Sequence, residues 1–412
     1  MNAEIISIGS EHLLGEIVNT DAPYLSQRLA ALGIEVERQI TIGDDEKSIA
    51  SSLEEALRRA RMVITIGGLG PTPDDLTKKV IAKVAEEQLV LNEEILSEIE
   101  GKFKEEKKSM PSDNIKQAFL PRDSHALKNR VGIAPGFILE TRNRIIIALP
   151  GPYNELVPMF EEEAIPYLKG RLKIREVIKS FILRTTGLPE SKVAENLKDI
   201  MKKSKNPRLS LLAHENIVDI ILVAKAGNEK TADRLIEGLE KKIGRCLGNY
   251  NFGTGKQTLE EVVGYLLYMR KKSIAVAESC TGGLISHRLT NVPGSSNYFL
   301  GSVVAYSDKI KRERLGVKKT TLEKYGAVSE KTVGEMAKGI KKVTKSNFGL
   351  GVTGIAGPTG ATEEKPIGLV YIALADKDKV ETQEFKFRGE REIIKAKVAN
   401  AALDMVRRHL LK

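Results

Sequence analysis

Residues 277–283, Ala-Glu-Ser-Cys-Thr-Gly-Gly, follow an apolar stretch at 274–276 and precede a helical pattern, which sets Ser279 and Cys280 on a strand-to-helix turn. A hydroxyl or thiol held at such a turn lies beside the unpaired N–H groups of the following helix. Those groups can stabilise the charge that develops on an attacked carbonyl, or hold a phosphate. Acyl transfer is the chemistry this pattern suits, with either Ser279 or Cys280 as nucleophile. A second polar cluster, Tyr306, Ser307 and Lys311, follows another apolar strand at 302–305, and a glycine turn comes at Thr353-Gly354-Ile355-Ala356-Gly357-Pro358. For a base the chain offers few histidines. His287 lies two helical turns beyond Ser279, about 12 Å at 1.5 Å per residue and too far for direct proton transfer. Lys311 can serve if burial or a neighbouring charge depresses its pKa toward neutrality, with Tyr306 relaying a proton or orienting the hydroxyl. Lys311 can equally be one of many solvated lysines, and spacing alone does not separate the two.

Around this cluster, Glu278 reads as a buried partner or an outer carboxylate, and Thr281 as a helix cap or a ligand group. Arg391 precedes a helix beginning near Glu392, where it can clasp a phosphate or sit on the surface.

A second candidate site lies near the N-terminus. In Gly67-Gly68-Leu69-Gly70-Pro71-Thr72-Pro73-Asp74-Asp75 the glycines admit close backbone approach, the prolines fix the turn, and Thr72 can donate to a phosphate. Asp74 and Asp75 either complement the dipole of the next helix or bind metal. With Glu11, Asp44 and Asp45 they supply hard oxygens for a divalent cation that would neutralise a pyrophosphate. His12, with no partner at i+4, is left out of that set.

The elements that must position these residues are legible from periodicity. Over residues 1–168, strands at 4–8, 35–40, 62–66 and 144–149 alternate with helices at 20–32, 47–59 and 76–87, the pattern of a parallel sheet wrapped by helices. Ligands gather at the strand C-termini of such sheets, where the loops at Gly9, Gly43, Gly67 and Pro150 converge. Residues 170–255 read as a small α+β domain for linking or dimerisation: strand 177–184, helix 190–202, strands 208–213 and 217–224, helix 229–247. Thr258 is the expected cap of the helix 259–270 that opens a C-terminal α/β domain, residues 256–412.

Composition agrees with several cores. The chain has 412 residues, 41% of them hydrophobic, and no apolar run long enough to span a membrane. It enters a strand at once, without the basic start and cleavage site of a secretion signal, so a cytoplasmic protein is expected. The two cysteines, Cys246 and Cys280, lack metal-ligand spacing and are expected to be reduced thiols. The net charge of +10 is C-terminal: residues 256–412 hold 28 Lys and Arg against 17 Asp and Glu, whereas residues 1–255 hold 37 against 38. That field favours an anionic substrate, unless Lys338, Lys341, Lys342 and Lys345 only solvate a helix face. No aromatic-interleaved basic stripe is present, so nucleic acid is not an expected partner.

At these residues the chain resembles the CinA family of competence/damage-inducible proteins in its two-enzyme form, over nearly the whole length. The N-terminal part is similar to molybdopterin-binding domains through the 67–75 run, Asn19-Thr20 and Leu149-Pro150-Gly151-Pro152. The C-terminal part resembles nicotinamide-nucleotide amidases through 277–283, Tyr306-Ser307-Asp308, Gly326-Ala327-Val328-Ser329-Glu330 and 354–358. The resemblance implies a Ser279 nucleophile with Tyr306 and Lys311, acting on nicotinamide mononucleotide without a metal. Thr281, Gly282, Gly283, Gly354, Ala356, Gly357 and Arg391 would bind that substrate, with an oxyanion held by N–H groups near 281–283. For the N-terminal domain it implies ADP-ribose pyrophosphatase activity, with Gly68, Gly70 and Thr72 on the substrate. The divalent metal (cobalt, magnesium or manganese) would be held by some of Glu11, Asp44, Asp74 and Asp75, with potassium as a stimulant. It also implies a homodimer. The first loop departs from the usual Gly-Thr-Glu-Leu-Leu-Leu-Gly: Gly9 is followed by Ser10, Glu11 and His12, so His12 replaces an apolar residue.

The expected function is therefore bifunctional pyridine-nucleotide salvage that recycles NAD breakdown products. Two other classes compete with it. One is a nucleotide-sensing accessory in DNA uptake and recombination that catalyses nothing. The other is a module that binds a pterin nucleotide.

Overall fold

Strands Met62–Ile66 and Arg144–Leu149 are apolar along nearly their whole length and Asn2–Ile8 is buried beside them although it carries Glu4 and Ser7, because each is covered on both faces of one sheet. In the computed structural model, which describes residues 1–105, 107–172, 177–377 and 379–412, they form the middle of a six-stranded sheet. The sheet order is Glu35–Ile42, Asn2–Ile8, Met62–Ile66, Arg144–Leu149, Gly136–Thr141, His125–Leu127. The first four strands, those expected from the sequence, are parallel. The last two are antiparallel, so the sheet is mixed where the sequence pattern suggested a parallel one. The reversal is made at Arg142 and Asn143, which both take positive φ, the geometry of a two-residue hairpin turn.

Side chains on one face pack with helices Asp21–Ala31 and Tyr153–Met159 through Leu25, Leu29, Leu156 and Met159. Those on the other face, Ile6, Val63 and Ile146, meet helices Glu46–Arg59 and Thr77–Val84 through Leu53, Val80 and Ile81.

The chain is a three-domain α/β protein arranged in two compact units, Met1–Lys179 with Lys225–Asp233, and Ser180–Ala224 with Arg234–Lys412. The middle domain is a four-stranded sheet, Arg208–His214, Ile217–Ala226, Val177–Thr186, Asn251–Thr254, with helices Glu190–Lys203 and Glu229–Leu247. The C-terminal sheet runs Phe299–Val304, Ile274–Glu278, Phe348–Gly354, Leu369–Ala375, Val380–Lys386. Its first three strands are parallel and its last two antiparallel. Thr258 caps Leu259–Met269 as expected, in a reciprocal box with Glu261. That helix and Arg391–Leu411 cover one face of the sheet through Val263, Leu267, Val398 and Leu403.

Candidate functional site

The C-terminal site grows from the end of strand Ile274–Glu278. Ala305 N–H donates to the Glu278 carbonyl (2.7 Å), which carries the neighbouring strand past the Ser279 turn and into helix Asp308–Leu315. Ser307 caps that helix, and one turn in, Lys311 points back under the turn. Lys311 is 2% exposed, and its Nζ lies 3.4 Å from Ser279 Oγ, 3.4 Å from the Tyr306 carbonyl oxygen and 3.8 Å from Asp308 Oδ1. Burial holds the Lys311 ammonium below its ordinary value, while Asp308 and Cys280 pull the other way.

Cys280 packs into the core. Burial pushes its thiol up to about 12, so at neutral pH it holds no thiolate. Of the two nucleophiles left open by the sequence, only Ser279 is within hydrogen-bond reach of Lys311.

Glu278 is fully buried and acts as a cap. Its carboxylate accepts from the N–H groups of Gly283 (2.9 Å), Ile285 (3.2 Å) and Ser286 (2.9 Å), and from the Ser286 hydroxyl (2.5 Å). The Gly282 N–H donates to the Ser279 carbonyl (3.1 Å). The N–H groups of Gly282 and Gly283 are thus already engaged, which corrects the oxyanion site expected across 281–283. Those of Cys280 and Thr281 find no oxygen acceptor among the described residues. The Thr281 hydroxyl is buried without a partner, a group that a ligand would satisfy.

Tyr306 is 63% exposed, and its hydroxyl accepts from Arg391 Nη2 (2.9 Å) while Arg391 Nη1 donates to the Gly357 carbonyl (2.5 Å). Its phenol therefore meets Arg391; only its backbone carbonyl meets Lys311. Gly354 is a close-packing position, where a Cβ would strike Val370 and the Leu369 carbonyl, and the Ala356 methyl belongs to the core. His287 is exposed and meets Asn291. Asp308 has no role in the sequence reading beyond its place in the Tyr306-Ser307-Asp308 motif, although its i,i+3 spacing to Lys311 on a helix is the available signal.

The N-terminal candidates Glu11, Asp44, Gly68, Gly70, Asp74 and Asp75 all line one cleft of about 880 Å³ at the C-terminal ends of the parallel strands. Gly68 has φ +68, and a Cβ there would fall on Thr77 Oγ1. Asp44 Oδ2 accepts from Ser10 N–H (2.9 Å) and Oγ (2.8 Å). Asp75 Oδ2 accepts from Thr72 N–H (2.8 Å) and from the Thr72 hydroxyl. Asp45 is spent as the cap of Glu46–Arg59.

Among the described residues, no three His, Cys, Asp or Glu side chains gather into a metal site of their own. One or two of these carboxylates facing a cleft of this size fit a magnesium-type ion, which completes its shell with substrate oxygens and water. His12 turns to the Ile17 carbonyl (3.3 Å). Asp21 and Tyr153 also line the cleft and were not read as site residues. Burial raises the Asp21 carboxyl above its ordinary value, a property that helix periodicity does not reveal.

Three family models match: "Probable molybdopterin binding domain" over residues 4–170, "Damage-inducible protein CinA KH domain" over 180–253, and "CinA C-terminal domain" over 256–410. A CinA-like protein of Kosmotoga olearia is 45% identical over 412 residues, covering 100% of this chain and 99% of its own. The chain belongs to the CinA family. A Clostridium tetani member named for competence and damage induction is 46% identical over 412 residues, 100% of both chains. Among solved structures, CinA of Thermoplasma acidophilum is 31% identical and covers 40% of this chain and 98% of its own, with a TM-score of 0.38. CinA membership supports a nucleotide-handling role and enzymatic capacity. No helix among the described residues is long and apolar enough to cross a membrane.

Proposed function

We propose that the C-terminal domain hydrolyses nicotinamide mononucleotide to nicotinate mononucleotide and ammonia. The observation that carries this reading is the buried Lys311 amine 3.4 Å from Ser279 Oγ, at a turn where the Cys280 and Thr281 N–H groups meet no oxygen acceptor among the described residues and the Thr281 hydroxyl lacks a partner. Neutral Lys311 takes the Ser279 proton as Oγ attacks the carboxamide carbon. The Cys280 and Thr281 N–H groups receive the oxyanion. Collapse breaks the C–N bond, and Lys311 returns the proton to the departing ammonia. Water, deprotonated by the same amine, then cleaves the ester, releasing the acid and restoring Ser279. Arg391 exchanges its Tyr306 and Gly357 acceptors for the substrate phosphate, so Tyr306 acts by holding Arg391 before substrate arrives. Ammonia release by the purified protein with chelator present, beside Ser279→Ala, tests this. Release that persists undiminished in the variant overturns it.

For the N-terminal domain we propose cleavage of ADP-ribose to AMP and ribose 5-phosphate in the 880 Å³ cleft. Gly68, Gly70 and Thr72 would meet the pyrophosphate. A divalent ion held by Asp75 and Asp44, with Glu11 or Asp74, would supply charge neutralisation. The chain residues position the substrate and exclude competing orientations. AMP formation on adding magnesium, manganese or cobalt, with and without potassium, tests it. Tight binding of a pterin nucleotide with no AMP formed would favour the binding-module reading instead. Both reactions belong to pyridine-nucleotide salvage, and a homodimer in sedimentation is the expected assembly.

A further inference from the structure

The basic excess of the C-terminal domain gathers away from Ser279. Strands Ile274–Glu278 and Phe348–Gly354 are parallel, and both candidate loops leave their C-terminal ends. At the opposite end, where Gly349 pairs with Ala375, a cleft of about 450 Å³ lies between the last turns of helix Glu330–Thr344 and the turn before Val380. It is lined by Lys338, Lys341, Lys342, Lys377 and Lys379. Its one lining carboxylate among the described residues, Asp376, meets His409 (3.4 Å) and accepts from the Lys379 N–H (2.8 Å). Lys338, Lys341, Lys342 and Lys379 have no carboxylate partner among the described residues, whereas most other clustered lysines here, such as Lys79, Lys83 and Lys128, do. Five lysines against Asp376, the one carboxylate lining the cleft among the described residues, leave a strong positive charge in a concave place.

We propose that this cleft binds a compact polyphosphate, two or three linked phosphoryl groups, either free or at the end of a nucleotide. The dipole of a helix C-terminus accounts for lysines in its last turn but not for Lys377 and Lys379, which a separate turn brings to the same cleft. Electrostatic focusing in a cleft raises the local concentration of a multiply charged anion. A nucleic-acid strand fits less well, since no aromatic side chain lines the cleft for base stacking and one helical turn facing one hairpin makes no long groove. The Lys341 Cβ lies against Gly349, whereas Lys338, Lys342, Lys377 and Lys379 are exposed and can close around the anion.

The test is calorimetric titration of the full chain with inorganic tripolyphosphate, ATP, and a single-stranded 20-mer of DNA. The comparison is a variant carrying Lys338→Gln, Lys342→Gln and Lys379→Gln, whose melting midpoint is checked against wild type. The expected result is tripolyphosphate binding that weakens at least tenfold in the variant and falls with added salt, with ammonia release unchanged. Equal binding of ATP points to a nucleotide's phosphate tail, and weaker ATP binding to the free anion; both support the site. No binding by wild type, binding unaffected in a folded variant, or DNA bound more tightly than tripolyphosphate through the same lysines would overturn it.

Discussion

Lys311 Nζ stands 3.4 Å from Ser279 Oγ across 32 residues of chain, brought there by two adjacent parallel strands that end together and by a helix cap at Ser307. The pair lies in a place too dry for a comfortable ammonium, and Asp308, 3.8 Å away, offsets that desolvation only in part.

Removing either partner should therefore abolish chemistry. Ser279→Ala and Lys311→Ala are expected to lower the rate of ammonia release by about 10²–10⁴-fold or more. Cys280→Ala should stay within a few-fold of wild type, because its thiol is held far from ionisation. Steady-state rates of the three purified variants check this.

Burial depresses the folded pKa of Lys311 below its ordinary 10.5. Between the two values the unfolded chain binds the extra proton, so this group's contribution to stability rises with pH and is least favourable below the folded value. Two outcomes follow. The rate of ammonia release should climb with pH on a limb lying below the range of an ordinary lysine. Lys311→Met should melt at a higher temperature than wild type at pH 7 while being inactive. A rate profile rising only near 10.5, with Lys311→Met less stable, would contradict the neutral-amine reading.

Arg391 presents two guanidinium nitrogens to Tyr306 and Gly357, a fork that fits a phosphate. Arg391→Lys should raise KM for nicotinamide mononucleotide by about tenfold, with kcat little changed, the pattern of lost uniform binding. The riboside lacking the phosphate should be affected far less. Comparing kinetics on the two substrates separates binding from chemistry.

In the N-terminal cleft, chelator should stop AMP formation from ADP-ribose without touching ammonia release. Asp75→Asn should slow AMP formation about 100-fold if a metal is held there. Gly68→Ala should cost about 1–3 kcal/mol of stability, since φ is +68 and the new Cβ meets Thr77. Denaturant melts of that variant test the backbone argument independently of activity.

Much of this was legible in the sequence, for a physical reason: strands buried on both faces must be continuously apolar, so 62–66 and 144–149 announce themselves. The antiparallel strands at 125–141 did not, because His125–Leu127 is short and the turn that joins Gly136–Thr141 to Arg144–Leu149 uses Arg142 and Asn143, which carry a weaker turn signal than glycine. At the site, spacing placed Ser279 and Lys311 near strand ends but could not say which would be buried. Desolvation is a property of packing, and it distinguishes Lys311 from Lys309, its exposed near neighbour. The cap made by Glu278 was likewise hidden, because a carboxylate reaching forward to Gly283, Ile285 and Ser286 depends on how tightly the turn is wound.

The contrast between the two thiols has a practical side. Cys246 is exposed on the helix of the middle domain, while Cys280 is buried and resists ionisation. Electrophiles react with thiolates that they can reach. An alkylating dye or spin label should therefore modify the native chain at Cys246 alone, and Cys280 should become labelled only when the C-terminal core opens. Without any engineering, the protein carries a handle for spectroscopic probes on one thiol and a built-in reporter of unfolding on the other.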